Sequence, residues 1–492
     1  MSQRVVVIGA GPTGLMLAAE LALAGVECTV LEKRADQPNL TRAFGVASRT
    51  LELLDARGMA DGLVARANVV PTAGLNAGVT IDLTRIPSRF NFMLITPQSI
   101  TERTIERRCA ELGVRIERGV ELVGLTQDAD GVTLSVVDAD GPRTERAAYV
   151  VGCDGAHSTV RAALGVEFVG RENRTPITLA DVRLTDAGTG AVNAAVSPEG
   201  VALLVPFGDG YHRAIVWDRR NDHLPMDAPL ELTEIRDAFR RIAGTDHGMR
   251  DPRWMSRFLS EQRQAARYRV GRVLLAGDAA HTHSPIGAQG MNTGIGDAMN
   301  LGWKLAAAVR GTAPSWLLDS YQAERHPVGA RVLRLTDGLT RAALVRSRPL
   351  LRLVQLGMRA ALSVEAIRRH PRGLVSGVSI SYPPHGEHTH RLAGHRAPDA
   401  DLPGGRLYEQ LRDGRFLLVT DDPGVADAAR GLGDRIAVVT AELPADLPRT
   451  VLVRPDAYVA WAVDGPVPAE RVRRVLTDWC APARDRDATT TG

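Results

Sequence analysis

Val7–Ala18 reads VIGAGPTGLMLA, and this stretch decides the fold. A β-branched, apolar run over 4–8 leads into it, as a buried parallel strand requires. Residues 12–24 then carry helical periodicity, with Leu15, Ala18, Ala19 and Ala22 on one face, and Gly25 closes the helix. A second strand is predicted at 26–31, closed by Glu32, which completes a βαβ unit. Each glycine then has a task. Gly9 permits the tight turn, Gly11 lets the backbone approach a pyrophosphate, and Gly14 lets the helix pack close on the strand. The helix N-terminus offers N–H groups and partial positive charge to phosphates. Glu32, 18 residues after Gly14, stands where a carboxylate accepts from ribose hydroxyls. The pattern predicts dinucleotide binding without choosing between NAD and FAD.

The chain has 492 residues, more than one core serves, so two or three domains are expected. With 44% hydrophobic and 24% charged residues it has the make-up of an ordinary globular protein. The formal net charge is +3 and the basic residues are dispersed, so no nucleic-acid partner is expected. Lys33 and Lys304 are the only lysines, so 58 of the 60 basic residues are arginine, a bias that fits a GC-rich genome better than a binding site. Cys28, Cys109, Cys153 and Cys480 form no C-x-x-C pair and have no zinc spacing, so no metal is expected. Unpaired thiols and the lack of a secretion signal point to the cytoplasm. No run of about 18 apolar residues is present. Residues 344–364 come nearest, but four arginines interrupt them, so an amphipathic helix and no membrane partner are expected.

Further along, 41–59 reads as a loop running into a helix, and 71–96 as strand-like pieces. A helix is expected over 96–114, capped by Ser99 or Thr101. Asp-Gly turns at 130–131 and 140–141 make 115–152 a β-meander. Residues 176–250 are strand-rich and 291–370 helical. GRFLLVTDD (414–422), DRIAVVTAE (434–442) and TVLVRPDAYVAWAV (450–463) predict three strands of a separate small α/β domain.

Two further strand–turn–helix junctions carry chemistry. YVVGCDGAHSTVR (149–161) places Asp154, Gly155, Ser158 and Arg161 after a strand. RVLLAGDAAH (272–281) ends a buried strand at Asp278, where a carboxylate can hold a ribityl or ribose hydroxyl. It leads to Gly287, Gly290, Met291 and Asn292, with Asn292 as the expected N-cap of the next helix, whose N–H groups suit a ring carbonyl. His281 and His283 read as polar loop residues.

Together these three blocks resemble the FAD-dependent aromatic hydroxylases, the single-component class A flavoprotein monooxygenases related to para-hydroxybenzoate and phenol hydroxylases. SRTLELLDARGM (48–59), PQSITE (97–102), GDAAHTHSPIGAQGMN (277–292) and LLDSYQAERHPVG (317–329) are similar to members acting on aromatic polyketides and related antibiotics. The resemblance implies an α/β fold: a Rossmann-like FAD-binding domain of the GR2 type, interleaved with a β-sheet substrate domain, and a C-terminal thioredoxin-like domain lacking CxxC. The implied boundaries are 1–175 for FAD binding (with 71–96 lent to the substrate domain), 176–268 for substrate, 269–378 for the FAD-binding continuation and long helices, 385–482 for the C-terminal domain and 483–492 for a flexible tail.

The same resemblance assigns roles. Gly9, Gly11, Gly14, Glu32 and Lys33 hold the ADP half of FAD. Asp154 and Gly155 support both FAD and transient NADPH or NADH. Asp278 binds the ribityl chain, and Gly290, Met291 and Asn292 meet the flavin ring. Gln98 contacts the flavin side. Arg42, on a mobile loop facing the flavin, and Pro285, beside the space where oxygen adds, are the catalytic candidates. Ala288 stands where relatives often have glycine. The implied cycle reduces the flavin with NAD(P)H, adds O2 at flavin C4a and transfers one oxygen atom to an aromatic carbon. Phe90, Phe92 and Met93 are candidate walls for a planar substrate. A monomer or homodimer is expected. A Baeyer–Villiger oxygenase, an antibiotic-inactivating monooxygenase and a non-catalytic flavin-binding protein stay open as alternatives.

Overall fold

Val5–Ile8 (β1) is buried along its whole length because it runs through the middle of a six-stranded sheet. The computed structural model describes residues 4–36, 43–76, 79–186, 192–285, 287–386, 390–430, 435–442, 444 and 447–480. In it β1 is flanked by Cys28–Glu32 (β2) and Tyr149–Gly152 (β3), both parallel to it. Val273–Leu275 (β4) pairs parallel with β3, and Arg115–Arg118 with the outer edge of β2. Strands covered on both faces read as unbroken apolar runs, which is why periodicity located them. The helix α1 (Pro12–Leu23) covers one face. The carboxyl ends of β1, β3 and β4 therefore lie side by side. Three motifs far apart in sequence meet at one edge of one sheet, where ligands bind in open α/β folds.

The expected helix over 96–114 spans Gln98–Glu111, but neither Ser99 nor Thr101 caps it. Pro97 stands at the cap position with φ −56°, so its ring sets the entry, and both hydroxyl residues lie buried inside the helix. The meander is narrower than expected. Glu121–Gln127, Val132–Asp138 and Gly141–Ala147 form a three-stranded antiparallel sheet, while Arg115–Arg118 and β3 belong to the parallel one.

A second six-stranded sheet stands over this edge, built mainly on the long strands Phe168–Arg183 and Arg250–Ala265. One face, with Ala180, Val182, Ala202, Leu204, Ala214 and Val216, packs on a helix at Leu232–Ala243 that the strand-rich reading missed. That helix buries Ile235, Ala238, Phe239 and Ile242 at helical spacing and ends at Gly244 with φ +83°. The opposite face carries Leu179, Leu203, Val205, Ile215 and Trp217. Four helices follow: α3 (Gly290–Val309), α4 (Ser320–Ala343), α5 (Arg348–Ser363) and α6 (Glu365–Ser376).

Among the described residues the main sheet of the C-terminal unit has four strands, not three, and Asp401–Leu402 with Gly405–Arg406 adds a two-stranded ribbon. Phe416–Thr420 pairs parallel with Ile436–Thr440 and antiparallel with Thr450–Val453, which in turn pairs antiparallel with Val459–Val463. The segment read as one strand folds back at 454–458, where Arg454 N donates to Tyr458 O (2.8 Å) and Ala457 adopts φ +59°. This turn packs against the helices of the first sheet. Arg454 reaches both oxygens of Glu324 on α4 (2.8 Å each), which also accepts from Lys304 on α3 (2.8 Å). Arg57 pairs with Glu20 on α1 (2.6 and 2.7 Å) and donates to Pro455 O and Leu411 O (2.8 Å each). Arg49, on Ser48–Asp55 (α2), bonds Glu52, Tyr408 and the carbonyls of Asp456 and Ala457. All these groups are buried, so each charge depends on its partners.

Burial alone would raise the Glu324 carboxyl, but Arg454 and Lys304 hold it well below the usual carboxylate range. A depressed carboxylate contributes stability above its unfolded pKa of about 4.3 and loses it as pH falls through the folded value. Glu324→Gln is expected to cost about 3 kcal/mol near neutral pH. Its melting temperature should also fall less than the wild type's between pH 5 and pH 3. Parallel acid limbs in the two thermal-melt series would remove Glu324 from this role.

Candidate functional site

The edge formed by β1, β3 and β4 is shaped by glycines that admit no side chain. A Cβ at Gly9 (φ +104°) would lie 2.5 Å from Cys153 O, and one at Gly14 would lie 2.0 Å from Gly9 O. Gly11 differs: its Cβ would meet nothing within 4 Å. It borders an open groove, and it heads α1, whose first turn has Pro12 at its start and no side-chain cap. Uncapped N–H groups facing open space suit a pyrophosphate. Glu32 accepts from Ala10 N (2.8 Å) and Arg34 N (3.0 Å), which fixes its carboxylate beside the turn. Lys33 is exposed beyond it.

After β3, Asp154 accepts from Ser158 Oγ (2.5 Å) and Val160 N (3.1 Å), so it braces the start of Thr159–Ala163. Burial pushes its carboxyl up. Gly155 (φ +84°) leaves open space at its Cβ position. Arg161 crosses to the third motif, donating to Ala279 O (2.9 Å) and stacking over Phe168 at 3.8 Å.

After β4, the chain turns through Gly277 (φ +61°), whose Cβ position is only 2.6 Å from Thr13 Oγ1. Gly294 on α3 meets the same hydroxyl at 2.2 Å. Thr13 is thus wedged between the first and third motifs, a role its sequence context did not signal. Asp278 is exposed at the groove, with its Oδ1 3.9 Å from the Cβ position of Gly290. His283 Nε2 lies 3.5 Å from that position and has no hydrogen-bond partner, while Nδ1 is bonded at Ser284 O (2.9 Å). Burial lowers the His283 pKa.

His281 is no loop residue. It is fully buried, with Nε2 2.7 Å from Asp297 Oδ2. The same carboxylate accepts from Gly277 N (3.1 Å) and from Arg325 Nε (2.7 Å). Burial would raise the Asp297 carboxyl, but Arg325 and His281 keep it low and charged. Arg325 also donates to Thr293 O (2.9 Å) and Tyr382 Oη (3.0 Å). Asp297, His281 and Arg325 escaped sequence reading because they share no spacing pattern, and only the fold brings them together.

Asn292 does not cap α3, which begins at Gly290 after Gln289. It sits in the first turn and clamps a neighbouring strand instead. Its amide accepts from Ala47 N (2.9 Å) and donates to Gly45 O (3.0 Å) and Ala288 O (2.7 Å). Met291 is buried in the main core and Pro285 is half-buried at the approach to α3. Ala288 adopts φ +52°, the left-handed region that glycine occupies without strain. Gln98 brackets Ala43: its Oε1 accepts from Ala43 N (3.1 Å) and its own N donates to Ala43 O (3.1 Å). Arg42 lies outside the described residues.

Above α3, the sheet's second face joins a buried cluster of Phe44, Met93, Ile95, Val205, Phe207 and Val375, with Ile215 and Ala288 packed against it. Phe90 belongs to the main core rather than to this wall, with Phe92 packed on that core, so only Met93 of the three expected residues reaches it. Arg213 is fully buried on the same face, paired through two bonds to Asp181 (2.8 and 3.0 Å) under Phe207 and Trp254. Among the described residues no cluster has the make-up of a metal site.

The groove suits an extended dinucleotide: open space at Gly11, uncapped N–H groups on α1 and an exposed Asp278 carboxylate. Gly11→Val leaves the packing intact, so the variant should keep the wild type's circular dichroism. Loss of the phosphate contacts should raise the FAD Kd by about 100-fold, on the order of 3 kcal/mol. Asp278→Ala should weaken FAD by about ten-fold, the effect of one charge-assisted hydrogen bond. Flavin fluorescence titration reads both, and unchanged affinities would place the cofactor elsewhere.

Residues 2–336 match a family model described as "FAD binding domain", and 390–483 match "Aromatic-ring hydroxylase, C-terminal". The chain is 40% identical to the 12-dehydrotetracycline 5-monooxygenase/anhydrotetracycline 6-monooxygenase of Streptomyces rimosus, over 98% of this chain and 99% of that protein. It is 42% identical to a rifampicin monooxygenase of Streptomyces venezuelae, over 93% and 95%. The solved anhydrotetracycline hydroxylase from Streptomyces rimosus superposes with a TM-score of 0.87 at 39% identity, over 97% of this chain and 99% of that one. This chain belongs to the FAD-dependent aromatic-ring hydroxylases and is a flavin-dependent monooxygenase.

Proposed function

We propose that the enzyme hydroxylates an aromatic polyketide or a similar polycyclic compound, using O2 and NAD(P)H. The observation that carries this reading is the buried apolar face of the second sheet, laid over the first turn of α3. Val205, Phe207, Ile215, Phe44, Met93 and Ala288 belong to one apolar cluster there, a lining that suits a planar, apolar ligand. The relatives named for tetracycline intermediates and for rifampicin support a polycyclic substrate.

Bound FAD supplies the redox and oxygen chemistry. The protein positions and shields it. Gly9, Gly11 and Gly14 bring the N–H groups of α1 to the pyrophosphate, Glu32 takes the ribose, and Lys33 lies at the rim. Asp278 takes the ribityl hydroxyls. The first turn of α3, at Gly290, Met291 and Asn292, offers its N–H groups to the ring carbonyl, where partial negative charge is favoured. Asn292 also holds the strand at Gly45 against that turn, which sets the width of the reaction space. Pro285 forms its edge. Gln98 holds the chain beside Arg42, and we assign Arg42 to the catalytic loop. Asp154 and Gly155 shape the approach for the nicotinamide reductant. The apolar cluster excludes water, which protects the oxygen-transferring state from wasteful decay.

We read the C-terminal unit as thioredoxin-like without a redox pair, on the strength of its mixed four-stranded sheet and the lone Cys480. Its turn at 454–458 is used for docking. The implied domain limits (1–175, 176–268, 269–378, 385–482) stand with that reading.

In 18O2, turnover of a tetracyclic aromatic probe with NADPH should yield a product carrying one labelled oxygen on a ring carbon, seen by mass spectrometry and located by NMR. Label arriving from water alone would refute oxygenation. An oxygen inserted into the ring skeleton would replace hydroxylation with Baeyer–Villiger chemistry.

A further inference from the structure

Five large apolar side chains on α5 and α6 and their junction face solvent: Leu350 (49% exposed), Leu353 (65%), Leu356 (66%), Val364 (49%) and Ile367 (49%). The inner side of α5 is anchored by Leu351 and Leu362. At 100° per residue, Leu353 marks the middle of the outer face, with Leu350, Leu356 and Ala360 around it, and Arg352 and Arg359 along one border. Within 346–372 there are seven arginines and a single carboxylate, Glu365. That carboxylate is bound to Arg372 (2.8 Å) and Arg85 (3.3 Å). Arg346, Arg352, Arg359 and Arg369 are exposed.

We propose that this face docks on an anionic lipid surface, with the leucines at the acyl boundary and the arginines on headgroup phosphates. An apolar stripe bordered by arginine on a helix is the pattern of an interfacial helix. Charge decides against the simplest protein occupant. A two-fold contact with a second copy would set two arginine-rich faces against each other. The inner side of the same helix pair reaches the buried cluster described above, through Val375 beside Phe44 and Phe207. No helix among the described residues is long and apolar enough to cross a membrane, so the contact is peripheral. This departs from the sequence expectation of no membrane partner, which considered spanning segments only. None of these exposed leucines and arginines is a cofactor residue, so the inference stands apart from the choice of substrate.

The test is sedimentation of the FAD-loaded full chain with vesicles of phosphatidylcholine, with or without about a third phosphatidylglycerol. The protein should pellet with the anionic vesicles and stay in solution with phosphatidylcholine alone. Raising salt from about 0.05 to about 0.5 M should weaken binding several-fold. Each arginine near an anionic surface gives on the order of a five-fold gain in partitioning, so Arg352→Glu with Arg359→Glu should lower binding by more than about 20-fold. Leu353→Asp with Leu356→Asp should abolish it. Both pairs are exposed, so FAD content and melting temperature should not change, and the vesicle selectivity of the wild type tests the proposal without any variant. No pelleting with either vesicle, or equal pelleting with both, overturns it. So does a wild-type dimer that the leucine pair converts to monomer, which would assign the face to a second copy.

Discussion

The carboxylate of Asp297 holds the site together. Buried inside α3, it takes the N–H of Gly277, the ring of His281 and the guanidinium of Arg325 at once. The turn that presents Asp278 is thereby fixed to α3. Arg325 extends the link to Thr293 O and to Tyr382, whose ring packs at 4.2 Å from Tyr458 of the C-terminal unit. A buried ion pair adds little net stability over a well-packed apolar one, but leaving one member unpaired is costly. Such a group tolerates one arrangement only, and here that arrangement aligns strand end, helix start and docked domain.

The central sheet was legible from sequence because its strands are buried on both faces and its glycines have steric duties. Gly9 and Gly14 have no room for a methyl group, and the structure repeats that reading atom by atom. That Asp154 and Asp278 each follow a strand was legible too, since each comes after a short apolar run; that both serve one site was implied by the resemblance. The rest depended on partners that lie far off in the chain. Asn292 looks like a cap by local rules, yet its amide is used by Gly45, Ala47 and Ala288. Thr13 gives no local sign that two distant glycines close on it. His281 reads as polar loop until Asp297 arrives from a separate helix. The helix at Leu232–Ala243 was hidden among strands, although its buried residues keep helical spacing. Arg42 lies outside the described residues, so its place on the catalytic loop rests on resemblance.

The C-terminal unit adds a constraint of another kind. Its turn at 454–458 inserts Arg454 onto Glu324, which Lys304 shares, and its backbone carbonyls accept from Arg49 and Arg57. Lys304, one of only two lysines in the chain, is fully buried, and burial lowers its pKa to about 8. These contacts reach Glu20 on α1 and Lys304 on α3, two helices of the FAD-binding domain. The unit thus braces helices of the FAD-binding domain, with Cys480 its lone cysteine.

The central claim is that three strand ends build one FAD site whose reacting end lies at the start of α3. A crystal structure of the FAD complex tests it most directly. The account predicts the pyrophosphate over Gly11 at the start of α1, the ribityl chain against Asp278, and the flavin ring beside Gly290–Asn292 beneath Val205 and Ile215. Flavin density outside that line, or a ribityl chain that makes no contact with Asp278, would contradict it.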